Sequence, residues 1–161
     1  MGKSTELRQA VRSTFFPLLQ ERGFVYEKSG SPLFMSFRKI GEHQTYLIDI
    51  HWDKYYRPRF VIEFGHCGNE GVEYCGTHIS ADEVLQGQLQ HQGRLYANRG
   101  NKFWSRGDWF RQDLPLLKRL ILFKAKYPAD RIIDQLIQRF YDLEVFWQSG
   151  QCSKYLAVGY Y

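Results

Sequence analysis

Three cysteines in 161 residues are few and odd in number, which excludes a disulfide framework in a chain without the apolar core of a secretory signal. Long apolar runs are missing as well. No stretch approaches the roughly 20 residues of a membrane-spanning helix, so no membrane partner is expected and the protein is placed in the cytoplasm. The opening Gly2-Lys3-Ser4 resembles the tail of a phosphate-binding loop, but no upstream glycine and no preceding strand present it. N-myristoylation fails at Glu6, where the pattern needs serine or threonine. Internal repeats, low-complexity segments and a nucleophile in a sharp turn are also absent, and no cofactor is expected.

What is present is an apolar and aromatic chain. Apolar residues make up 43% and aromatic residues 17% of it, which excludes disorder and predicts one domain over residues 1–161 with an aromatic core. Charge is unevenly spread. Residues 93–126 carry nine basic and two acidic side chains (+7), whereas residues 66–92 carry four acidic and no basic ones (−4). Such a dipolar middle can steer an acidic partner, or it can be complementarity between neighbouring elements.

The clearest periodicity lies at Tyr46–Trp52 and Phe60–Gly65, joined by the turn-like Asp53–Arg59. In the first run Tyr46, Ile48, Ile50 and Trp52 alternate with Leu47, Asp49, His51 and Asp53; in the second Phe60, Ile62 and Phe64 alternate with Val61, Glu63 and Gly65. The period of two predicts an antiparallel strand pair with one face on a core and a second face bearing Asp49, His51 and Glu63. Ahead of it, Ser4 or Thr5 caps a helix with Leu7, Val11, Phe15, Leu18 and Leu19 on one face, bent at Pro17 and stopped at Gly23. Phe24–Lys28 and Leu33–Ile40 read as strands, completing a four-stranded meander.

The stretches Leu18–Phe24 (LLQERGF), Phe34–Lys39 (FMSFRK), Tyr46–Trp52 (YLIDIHW) and Phe60–Gly65 (FVIEFG) resemble a family of small bacterial proteins catalogued as a domain of unknown function. The resemblance covers roughly the first 65 residues and implies a compact cytoplasmic α+β protein, with no catalytic residues to carry over.

Further on, Val72–His78 reads as a short strand, and Ser80 with Glu83 forms a capping-box pattern that predicts a helix ending at Gly93. Arg94–Arg111 reads as a long ordered loop or strand pair. Two helices are expected to close the chain, one capped by Asp113 and reaching Tyr127, the other carrying Ile132, Ile133, Leu136, Ile137, Phe140, Leu143 and Trp147. The tail Lys154–Tyr161 can add an edge strand. The fold class expected is therefore α+β: an N-terminal helix, an antiparallel meander sheet of about four to six strands, and C-terminal helices packed on one face.

Three constellations could carry chemistry. His66, Cys67, Cys75 and His78 are soft or borderline zinc ligands within thirteen positions, and Cys75-x-x-His78 has the spacing of a metal knuckle, but an adjacent first pair converges poorly. Asp49, His51 and Glu63 place a histidine between carboxylates, as acid–base chemistry requires, although polar groups occupy any solvated sheet face. Tyr55, Arg57 and Arg59 with Arg99, Lys102, Trp104, Arg106, Trp109 and Arg111 interleave basic and aromatic side chains, a mixture that suits a protein-interface hot spot or single-stranded nucleic acid. The reading that follows is a non-catalytic protein-binding module of the immunity type. A nucleic-acid binder using residues 94–111 is the alternative, and a metal-dependent or acid–base enzyme the third.

Overall fold

The computed structural model describes residues 5–28, 30–98, 109–114 and 126–159. Its centre is the expected strand pair, β3 (Gln44–Trp52) against β4 (Arg59–Gly68), antiparallel with Ile50 opposite Ile62 and Asp49 opposite Glu63. Strands β1 (Val25–Glu27) and β2 (Phe34–Ile40) extend the meander on one side. On the other side lie β7 (His91–Leu95), which pairs with β4, and β9 (Leu156–Gly159), which pairs with β7 and so brings the tail into the sheet. β8 (Phe110–Arg111) also pairs with β4. The sheet thus has seven strands in the order β1-β2-β3-β4-β7-β9 with β8 on β4, more than the four to six expected.

Two expectations are corrected, the first adding β7 to this sheet and the second concerning a separate two-stranded one. The helix expected from Ser80 to Gly93 is not formed. The Ser80 carbonyl accepts the amides of Glu83 and Val84 at 3.0 Å, closing one turn only. Beyond it the Arg38 guanidinium donates to the carbonyls of Ala81 and, at 2.8 Å, Val84. A long-range side chain thereby takes acceptors that a helix needs for its own ladder. Gly93 is no helix stop but a strand residue opposite Phe64, where an added Cβ would lie 2.6 Å from Phe64 Cζ and 2.4 Å from the Ala157 carbonyl oxygen. Only glycine lets β7 lie that close to its neighbours.

The single strand expected at Val72–His78 is instead a hairpin, β5 (Val72–Tyr74) and β6 (Thr77–Ile79). Its two turn residues, Cys75 and Gly76, both have positive φ, 51° and 77°, as a two-residue turn matched to the twist of the strands requires.

The N-terminal helix α1 has α-helical ends, Thr5–Ala10 and Phe16–Glu21, around a π-helical stretch, Val11–Phe15. Leu7, Val11, Phe15 and Leu19 are fully buried at a strict spacing of four. On a helix of about 3.6 residues per turn such a row drifts around the axis. The wider π turn brings it back onto the sheet, and it does so just before Pro17, which has no amide to give to the ladder.

Among the described residues one helix follows the sheet, α2 (Ala129–Ser149), ended by Gly150 at φ 72°. The preceding helix expected over Asp113–Tyr127 falls mainly on residues 115–125, outside those described. Its ends are not helical: Asp113 and Lys126 form an antiparallel bridge. Both helices cover the face that carries Ile48, Ile50, Phe60, Ile62 and Phe64, with Phe15 of α1 meeting Phe140 of α2 edge-on at 5.6 Å. Burial of this one-sided apolar surface is what holds the layers together. No helix among the described residues is long and apolar enough to cross a membrane.

Candidate functional site

The second face of the sheet is covered in part. Leu47 and Cys67 pack under Ala81, Val84 and Leu89, forming a small separate core. Burial pushes the Cys67 thiol above its ordinary pKa. Arg38 ties this cover down, because its guanidinium, 6% exposed, joins Glu27 on β1 to the Ala81 and Val84 carbonyls.

Beside the cover the face stays accessible, and register sets a row across it: Glu27, Ser36, Asp49, Glu63 and Arg94 stand on adjacent strands. The sheet brings the acid–base candidates together as the alternation predicts. His51 Nε2 lies 3.6 Å from Asp49 Oδ2, and Nδ1 lies 3.6 Å from Glu63 Oε2. Glu63 also accepts from Arg94 Nη2, while the His51 ring meets Phe34 edge-on at 4.8 Å. Asp49 and Glu63 thus flank the His51 ring, and Arg94 pairs with Glu63 from the next strand.

The four metal candidates are not brought together. Cys67 is buried under the cover; His66, its neighbour in β4, points to the opposite face and stacks on His91 across the ladder, centroids 5.4 Å apart. Cys75 and His78 stand exposed on the β5–β6 hairpin, where His78 Nδ1 is 3.0 Å from Glu73 Oε1. Among the described residues no group of three or more histidine, cysteine or acidic side chains could hold a metal. Alternation explains this, since successive strand residues such as His66 and Cys67 face apart.

The basic-aromatic candidates divide. Arg99, Lys102, Trp104 and Arg106 lie outside the described residues. The others converge at the end of the sheet around Asp53, which is only 3% exposed. Its carboxylate accepts from Arg59 Nε at 2.8 Å and Nη2 at 2.7 Å, from Arg57 Nη2 at 2.9 Å, and from the Tyr55 amide at 2.8 Å. Burial alone would raise its pKa, but those donors and the Arg59 charge outweigh it and hold Asp53 at about 2. Arg59 is itself buried and stacks on Trp109, 4.4 Å from the ring centroid. Arg111 pairs with Asp113 at 2.7 Å. Arg59 and Arg111 are therefore each engaged by a carboxylate of the protein itself.

Tyr55 and Tyr56 are different. They project from this braced turn, 66% and 68% exposed. Arg57 sits 5.0 Å and Lys54 5.2 Å from the Tyr55 centroid. Tyr56 has φ 56°, a left-handed conformation that costs a β-carbon residue about 1 kcal/mol or more and that the Asp53 network keeps in place.

Sequence reasoning missed Arg8, Arg12, Lys28 and Phe34: Arg8 and Arg12 line an open depression along α1, and Arg12, Lys28 and Phe34 line a second one between α1 and the β1–β2 turn. The four-residue spacing of Arg8 and Arg12 on the polar side of α1 was the available signal. Compared with models of known protein families, with curated proteins and with solved structures, the chain matches none.

Proposed function

We propose that the protein is a non-catalytic protein-binding module of the bacterial cytoplasm, of the immunity type that recognises and neutralises a partner protein. One observation carries the reading: Tyr55 and Tyr56 are held two-thirds exposed on a turn locked from inside by Asp53. Tyrosine and arginine dominate interface hot spots because they offer large amphipathic area at little entropic cost. A turn already ordered in the free protein lowers that cost further. The carboxylates at His51 are engaged within the sheet, Asp49 and Glu63 with the ring and Glu63 with Arg94 as well, which favours recognition elsewhere on the surface.

Site-specific photo-crosslinking in cells tests this. A benzophenone side chain at position 55 or 56 is expected to give a discrete protein adduct that the same group at Tyr141, 44% exposed on α2, does not. Equal adducts at 141, or none at 55 and 56, would remove the turn as an interface.

A further inference from the structure

We propose that the surface between α1 and the β1–β2 turn binds single-stranded nucleic acid, with phosphates on Arg8, Arg12 and Lys28 and bases against Tyr26 and Phe34. Two clefts meet there. One, of about 450 Å³, is lined by Arg8 and Arg12 with Thr5, Gln9 and Ser13. The other, of about 240 Å³, is lined by Arg12 and Lys28 with Tyr26, Ser31 and Phe34. Arg12 belongs to both, so the clefts form one track.

Among the described residues no carboxylate pairs with the cations on this track. Arg8 is partly buried, donates to the Pro32 carbonyl at 2.8 Å and lies 4.6 Å from the Trp52 ring centroid, and neither partner is anionic. Burial, and then the nearby Arg12 charge, make its cation harder to keep. Arg12 and Lys28 form no ion pair among the described residues. The carboxylates that could have served them are committed: Glu27 to Arg38, Glu6 to Lys126, Asp53 to Arg57 and Arg59. A partly desolvated cation without a partner is stabilised by an incoming anion.

The rings decide which anion. Tyr26 is 37% exposed and is backed by Phe16 and Phe37 at 5.4 and 5.3 Å, while Phe34 is 42% exposed and is backed by His51. Each is a fixed platform with surface left over. An acidic peptide would use the cations only; a chain of alternating phosphates and flat bases uses both.

Fluorescence anisotropy of a labelled single-stranded oligothymidylate measures this directly. Three phosphate contacts predict that log affinity falls with log salt at a slope of about −2. Replacing Arg12→Ala and Lys28→Ala together, both exposed, is expected to lower affinity at least tenfold and flatten the slope by about 1.4. Phe34→Ala is expected to cost at least about fivefold with the slope unchanged. Circular dichroism verifies that the variants are folded. The proposal is overturned by no saturable binding to the wild type, by unchanged affinity in the folded double variant, or by poly-glutamate displacing the oligonucleotide at equal charge concentration.

Discussion

Replacing Asp53→Asn probes the turn on which the proposed interface rests. Asparagine keeps the shape and one acceptor oxygen but removes the charge, so buried Arg59, whose Nε and Nη2 both donate to Oδ2, and the Tyr55 amide, which donates to Oδ1, can no longer both be answered. Two magnitudes bracket the effect. Lowering of the Asp53 pKa from 3.8 to about 2 corresponds to about 2 kcal/mol of preference for the charged carboxylate in the folded state. Breaking a buried pair by removing one partner costs about 3–5 kcal/mol. A loss of about 2–4 kcal/mol at neutral pH is expected, a large part of the 5–15 kcal/mol typical of a domain. Urea unfolding followed by tryptophan fluorescence measures it, since Trp52 and Trp109 lie beside the network. The pH dependence follows from the sign. A carboxylate whose folded pKa is depressed contributes stability that is fully present above about pH 4 and is lost as pH falls toward 2. The gap between wild type and variant should therefore close over that window. A difference below about 1 kcal/mol at pH 7, or a gap that stays constant down to pH 2, would refute the account of Asp53 as the brace.

Gly93→Ala should destabilise by about 1–3 kcal/mol through overpacking, because its methyl would meet the Phe64 ring and the Ala157 carbonyl; an unchanged urea midpoint would show that β7 can move away at no cost. His66 has its pKa lowered by burial and then by His91. The unfolded chain thus takes up the proton first, and stability should fall as pH drops below about 6.5. Thermal midpoints between pH 8 and 5 should fall less in His66→Gln than in the wild type, and equal slopes would contradict the assignment. Iodoacetamide should modify the exposed Cys75 and Cys152 well before Cys67, whose thiol is buried and raised in pKa; early labelling of Cys67 on peptide mapping would mean that the 80–89 cover opens readily.

The parts of this fold that could be read from the sequence are those whose signal is local and periodic. Alternation at Tyr46–Trp52 and Phe60–Gly65 placed the β3–β4 ladder and set Asp49, His51 and Glu63 on one face, because a strand's geometry alone decides which side a residue takes. The apolar stripe of Ile132, Leu136, Phe140 and Leu143 announced α2 for the same reason. The missing helix after Ser80 has an identifiable cause. Ser80 and Glu83 spell a helix start, yet Arg38, more than forty residues earlier, takes the carbonyls that the helix would use, and local propensity yields to a tertiary contact.

The acid partner of an arginine is equally invisible to a local reading. A basic residue offers its charge to a ligand only if the fold brings it no carboxylate. Arg57 and Arg59 reach back to Asp53, Arg111 reaches Asp113, Arg94 faces Glu63 across the ladder, and Arg38 holds Glu27. Composition counts all of these with Arg8, Arg12 and Lys28, which form no ion pair among the described residues. What separates these arginines from Arg8 and Arg12 on α1 is whether the fold seats an acid beside them, across the ladder for Arg94, from the turn for Arg59, and two residues on for Arg111.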